Sequence, residues 1–434
     1  MIDPSTSAPE PLMRRYAVLV LLDLAAKACG FGATIAVARA FGVEGFGAIG
    51  VAQTAATFGL WAATCGLDIY AVRHTVATGA SPGAIASTVV LLRLGLSALC
   101  YAALLSICLL VPDLREILPL IALYGLGYFT ASLSVLWVAQ ATQRTEVYGI
   151  ANLASQAGYF ACVILAIRGG FEAWSVPTSL LVAEVGVALG LGLWMMRSVS
   201  PWQRPLPRRD ALALLRRASP IGGSKIMRGI ALGSDLLMVR LLLDLEATGL
   251  YHSASRLFFI AVSLVALYFV VLFPLLVRSG AHSIAALGQE LRSSLVRIFA
   301  LALPALALSL WLARPVLELI YDPEFAAAEH VLQLLLLAVV VSLLNGHLRQ
   351  ALIALGHQRA DLRNTSLSSG VHVLAKLALI PALGMEGAAL GTLIGEVSLV
   401  ALSGLTLRLA WRDAPAASLH WGGEGGAGKM DAES

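Results

Sequence analysis

The sequence predicts an all-α polytopic membrane protein of about twelve transmembrane helices, arranged as two related halves. Three observations carry this: apolar stretches of spanning length, loops that alternate in basic content, and an internal repeat whose matches keep their order. The 434 residues are 58% hydrophobic and 13% charged, with a mean hydropathy of +0.82. Soluble domains are about one quarter charged, so half that value points to a bilayer as the solvent.

A spanning helix needs about 20 mostly apolar residues. Such stretches run in order over 16–38, 47–70, 84–111, 117–139, 149–167, 175–196, 220–242, 250–277, 294–313, 329–349, 364–380 and 386–407. The first follows a polar tail, residues 1–15, that ends in Arg14 and Arg15, and reads as a retained helix rather than a cleaved leader. Eighteen of the thirty Lys and Arg fall in one alternate set of connections, at positions 14, 15, 73, 144, 197–217, 278, 292, 349–363, 408, 412 and 429, and five in the other, at Arg39, Arg115, Arg168, Arg240 and Arg314. The excess of positive charge on the cytoplasmic side of membrane proteins then places both termini in the cytoplasm.

Residues 197–219 form the longest internal connection. Within it RRDALALLRRAS sets Leu212 and Leu215 against Arg208, Arg209, Arg216 and Arg217, the pattern of a short basic amphipathic helix suited to anionic headgroups. The tail 408–434 turns Gly-, Ala- and Glu-rich beyond Arg412 and is expected to be disordered.

The halves 16–196 and 220–407 repeat one design. VARAFGVEGFG (37–47) answers to VRLLLDLEATG (239–249), each closing on Glu-x-x-Gly; Arg93 answers to Arg297, Asn152 to Asn364 and Glu184 to Glu396. The offset drifts along the chain in one direction, from about 201 to 212, as a duplication with small insertions requires. RAFGVEGFG is then the outer turn between the first two spans, with glycines permitting a tight reversal.

Seven cations remain inside the apolar stretches: Lys27, Arg93, Lys225, Arg228, Arg256, Arg297 and Lys376. Lys27 lies about 16 Å along its helix, close to mid-bilayer. Charges there cost roughly 3 kcal/mol each if they face lipid, so they are expected to face protein or a watery cavity. Asp23, Glu184, Asp235 and Glu396 are the carboxylates counted against them. Asp23 and Lys27, spaced i,i+4, read equally well as a structural ion pair. The surplus of cations, with Lys27, Arg93, Lys225, Arg228, Arg297 and Lys376 as the binding set, suits a cavity that holds an anion, phosphate above all. Asp23, Glu184, Asp235 and Glu396 then serve ion coupling or charge balance.

Other signals are weak. GEGGAGKM (423–430) ends in Met where a phosphate-binding loop places a Ser or Thr, and no strand precedes it. Cys29, Cys65, Cys100, Cys108 and Cys162 read as small buried hydrophobes, and His347 and His372 as interior hydrogen-bonding groups. No metal, catalytic residue or cofactor is expected, and no nucleic-acid partner.

ARAFGVEGFGAIGVAQTA with the later GLD (66–68), SDLLMVRLLLDLEATGLYHSASRL, YDPEFAAAEHVLQLLLLA and PALGMEGAALGTLIGE carry a resemblance. In them the chain resembles the polysaccharide-synthesis flippase family, of the multidrug/oligosaccharidyl-lipid/polysaccharide exporter superfamily. The resemblance implies two six-helix lobes around a central cavity open alternately to either side. It implies as cargo a polyprenyl-pyrophosphate-linked oligosaccharide, bound for O-antigen, capsule or exopolysaccharide. Membrane lipids, a polysaccharide polymerase and chain-length machinery are the partners it implies. Two other functions compete: a membrane-embedded polymerase or glycosyltransferase, and a multidrug antiporter of the same fold. The first needs a sizeable outer loop, and the longest here, 314–328, is short; the second favours acids over bases in the cavity.

Overall fold

The computed structural model describes residues 12–413, with side chains described except at 12–17, 224, 225, 227–232, 267, 270, 271, 281 and 413. No β-strand occurs among the described residues. The helices are α1 (Leu12–Thr64), α2 (Leu67–Thr78), α3 (Pro82–Leu110), α4 (Pro112–Arg115), α5 (Leu118–Gly125), α6 (Gly127–Leu133), α7 (Leu136–Ala141), α8 (Thr145–Arg168), α9 (Ser175–Ser198), α10 (Arg208–Gly233), α11 (Asp235–Leu242), α12 (Leu245–His282), α13 (Ile284–Ile320), α14 (Glu329–Ala354) and α15 (Gln358–Asp413), with a 3-10 turn at Pro323–Ala328.

Nine helical stretches among the described residues are long and apolar enough to cross a membrane. Two of them hold two expected spans each, because α1 breaks at Gly42 (φ 63°, ψ −172°) and α15 at Gly384 (φ 62°, ψ −144°). The seventh expected span, rich in charge, is covered by the end of α10 and α11. The twelve segments read from the sequence are thus all built of helix, some of them in more than one piece. Apolar side chains such as Leu301, Leu303, Leu308 and Trp311 on α13 stand exposed along the spans, as lipid-facing surfaces do.

Several expectations need correction. The outer turn read from RAFGVEGFG is compressed to one residue: only Gly42 leaves the helix, in the left-handed φ region that glycine adopts without a Cβ penalty. Its repeat partner turns without glycine. There Leu243 is extended (φ −133°, ψ −166°), and the Asp244 carboxylate accepts from the Ala247 N–H at 2.8 Å, capping α12. The basic amphipathic segment is no separate surface helix. It is the start of α10, with Leu214 and Ala218 buried among Leu67, Ala71 and Ile85 and Leu215 packed beside them, while Leu212 stands exposed. Helix also continues through Arg408 to Asp413, into the predicted tail; residues 414–434 and the N-terminal residues 1–11 lie outside the described residues.

The chain clusters into two compact units, Met1–Ser253 with Pro315–Ala328, and Ala254–Arg314 with Glu329–Ser434. The first has a core around Leu67, Ile85, Val89, Trp137, Met195 and Leu214. The second has one around Phe269, Leu276, Leu287, Leu343 and Leu352. Within the first unit the two repeated Glu-x-x-Gly motifs meet. A Cβ added to Gly47 would lie 2.8 Å from the Gly249 backbone nitrogen, and one on Gly249 would strike the Val43 carbonyl. Only glycine permits that approach of two helix backbones.

Candidate functional site

A break in the chain creates the first polar site. Cys65 (φ 46°) and Gly66 (φ 69°) interrupt the helix between α1 and α2 and leave Asp68 in the first turn of α2. Across from it, Arg93 on α3 is buried to 2% exposure, and its guanidinium pairs with the Asp68 carboxylate. The fourth span is broken twice, between α5 and α6 and at Ser134 between α6 and α7. Arg93 Nη1 donates to the Ala131 and Ser134 carbonyls at this second break, each at 3.4 Å. The Ala131 carbonyl also accepts from the Ser134 N–H at 3.2 Å, and a buried guanidinium is a suitable further partner for carbonyls at a helix end. Among the described residues Arg93 Nε has no hydrogen-bond partner.

These groups open onto a cavity of about 400 Å³ within the first unit. Its wall carries Asp68, Arg93, Glu184, Thr64, Thr130, Ser134, Gln140, Tyr148, Asn152 and Ser155 beside Trp137 and Leu191. Glu184, on α9, accepts a short hydrogen bond from the Thr130 hydroxyl on α6. The chemistry offered is one guanidinium, two carboxylates and a ring of hydroxyl and amide groups.

The second unit repeats one part of this. Glu396, on α15, accepts from Asn345 Nδ2 on α14 at 2.5 Å, and the same amide donates to the Glu396 carbonyl at 2.9 Å. Glu184 and Glu396 are therefore alike in more than sequence: each is held from the fourth span of its own half. Lys376, on α15, is buried to 2% exposure, with its aliphatic stem packed against Gly391. Arg349 grips Asp361 through two bonds, at 2.7 and 3.1 Å.

The other predicted residues are dispersed. Lys27 pairs with Asp23 at 2.9 Å, as the i,i+4 spacing requires, and 59% of its side chain is exposed. Asp23 also accepts from Asn152 Nδ2 at 3.5 Å. Arg297 is 67% exposed and pairs with Glu290 at 3.0 Å, so the repeat partners Arg93 and Arg297 sit in unlike surroundings. Asp235 accepts from the Tyr251 hydroxyl at 3.0 Å. The Lys225 and Arg228 side chains lie outside the described residues.

The expected cation surplus shrinks accordingly. Asp68 and Glu290 neutralise Arg93 and Arg297, and neither acid entered the count of four. Asp68 was legible only as the last residue of GLD; the signal that could have raised it is the Cys-Gly break just before it. Asn345 and Thr130, ordinary polar residues of apolar helices, gave no signal at all. Among the described residues no group of His, Cys, Asp and Glu could hold a metal ion.

The family model described as "Polysaccharide biosynthesis protein" matches residues 12–279, more than half of the chain. The chain belongs to the polysaccharide biosynthesis protein family. No curated protein matches it in sequence. In fold it is similar to the lipid II flippase MurJ in an inward closed conformation, at 14% identity and a TM-score of 0.71, over 90% of this chain and 87% of that one. It is equally similar to an inward-facing multidrug resistance MATE family transporter of the MOP superfamily, at 14% identity and a TM-score of 0.71, over 94% of this chain and all of the other. The eukaryotic MATE transporter AtDTX14 follows at 17% identity and a TM-score of 0.54, over 90% and 96%. The architecture of this family member is thus the one shared by MurJ and the MATE transporters.

Proposed function

We propose that this polysaccharide biosynthesis protein is a flippase. It translocates a polyprenyl-pyrophosphate-linked oligosaccharide across the bacterial inner membrane by alternating access, for O-antigen, capsule or exopolysaccharide synthesis. The observation that carries the reading is a hydroxyl- and amide-rich cavity with a buried guanidinium, sunk in an otherwise apolar helical unit of a chain from this family. Hydroxyls and amides match sugar hydroxyls, and a guanidinium matches phosphate oxygens. The likeness in fold to MurJ, a lipid II flippase by its description, supports it further.

In this reading 16–196 and 220–407 act as lobes joined by 197–219, both termini are cytoplasmic, and the chain is a transporter and not an enzyme. Lys27, Arg93, Lys225, Arg228, Arg297 and Lys376 remain the proposed contacts for the anionic head, with Asp23, Glu184, Asp235 and Glu396 balancing charge or coupling an ion gradient. Polymerase and chain-length machinery would receive the product.

One observation favours a second reading, a cation antiporter of the same fold: the described cavity holds two carboxylates, Asp68 and Glu184, against the single cation Arg93. A bacterial host lacking its own flippase separates the two. Restored surface polysaccharide on expression of the chain supports the flippase. Raised resistance to cationic drugs without any polysaccharide would instead establish the antiporter.

A further inference from the structure

Two arginines that answer to one another in the repeat, both from the set of connections poor in basic residues, make reciprocal contacts. Arg39, at the end of the first span, donates through Nε to the Ile320 carbonyl at 3.0 Å and through Nη2 to the Leu319 carbonyl, at the C-terminal end of α13. Arg240, at the end of α11, donates through Nη2 to the Asp113 carbonyl at 2.9 Å and pairs with Glu116 at 2.8 Å, just past the C-terminal end of α3. The offset between Arg39 and Arg240 is 201, and that between Asp113 and Leu319 is 206, in step with the drift of the repeat. Arg39 therefore holds the end of α13, and Arg240 holds α4, the short helix that follows α3 at the matching place in the other half. The carbonyl end of a helix is where a cation is best placed.

Next in sequence to the carbonyls that Arg39 holds, Tyr321 belongs to an aromatic cluster. Phe46 meets His252 with ring centroids 4.5 Å apart, and Tyr321 and Phe325 at 5.9 and 6.0 Å, all four rings being buried. Ala52, on the same helix as Phe46, is fully buried.

We infer that Arg39 and Arg240 are paired latches that hold this face of the protein shut, and that both must release before it can open. The inference rests on the alternating-access reading for its purpose, though not for its measurement. Arg240 is the stronger latch, because it is 6% exposed and ion-paired, whereas Arg39 is exposed and, among the described residues, binds carbonyls.

The test places a single reporter, Ala52→Cys, in a chain with its five native cysteines replaced, and reads the rate of labelling by a membrane-impermeant maleimide in right-side-out vesicles. Arg240→Ala should raise the rate about tenfold, Arg39→Ala less, and the double variant more than either, since a shut state loses population as its specific contacts are removed. Glu116→Gln, at a side chain 65% exposed and harmless to the core, should reproduce part of the Arg240→Ala effect. Labelling of Glu116→Gln and of the arginine variants equal to the parent's, at parental protein level, overturns the latches; so does a fall in protein level for the arginine variants with Glu116→Gln labelling unchanged. Labelling needs no cargo. A chain that restores no polysaccharide yet answers to these substitutions would sink the flippase reading and leave the latches standing.

Discussion

Arg93 is sealed in the first unit with 2% of its side chain exposed, while its partner Asp68 keeps 36%. That asymmetry sets which half of the pair is harder to lose. Asp68→Ala leaves a buried guanidinium uncompensated, whereas Arg93→Ala leaves a carboxylate that water can reach. Asp68→Ala should therefore lower stability by about 3 kcal/mol and Arg93→Ala by less. Thermal unfolding of the purified protein in detergent checks the order; equal losses would mean that the Ala131 and Ser134 carbonyls, rather than Asp68, hold Arg93.

Lys27 tests the anion-binding reading. It is exposed and tied to Asp23, so Lys27→Ala removes little packing and should leave protein in the membrane at near-normal amounts while surface polysaccharide is lost. Lys27→Arg should keep part of the activity, since charge is retained while geometry changes. Asp23→Ala should be milder, because it removes the orienting partner alone. Normal polysaccharide from Lys27→Ala would make the residue purely structural.

The matched carboxylates invite a paired experiment. Glu184→Gln and Glu396→Gln keep an acceptor for Thr130 and Asn345, so each should change stability by no more than about 1 kcal/mol. If these acids couple transport to an ion gradient, each single variant should reduce polysaccharide output severalfold. Output unchanged in the double variant would remove them from the mechanism.

The glycine crossing should be intolerant of a single methyl group. Gly47→Ala and Gly249→Ala each force backbone against backbone and should cost about 2 kcal/mol or more. Gly186→Ala, where an added Cβ meets nothing within 4 Å, should be neutral or stabilising by up to about 1 kcal/mol through helix propensity. Unfolding temperatures of the three variants give the comparison.

Length, hydropathy and charge alternation were enough to determine that this chain is a bundle of about twelve apolar helices, because lipid imposes a fixed span length and penalises charge within it. The repeat, too, was legible, down to the equivalence of Glu184 with Glu396. Partnership was not. Whether Arg93 is a free cavity cation or half of an ion pair depends on Asp68, brought to it by a helix break whose backbone angles no periodicity reports. The fate of the amphipathic start of α10 was equally hidden: Leu214 and Ala218 suit lipid headgroups and a protein core alike, and only the packing of α2 and α3 beside them decided between the two. The same holds for Arg39 and Arg240. Sequence marks them as outer-loop cations, but a hydrogen bond to a helix end 281 residues away is a property of the folded chain, where distant carbonyls come within reach of one guanidinium.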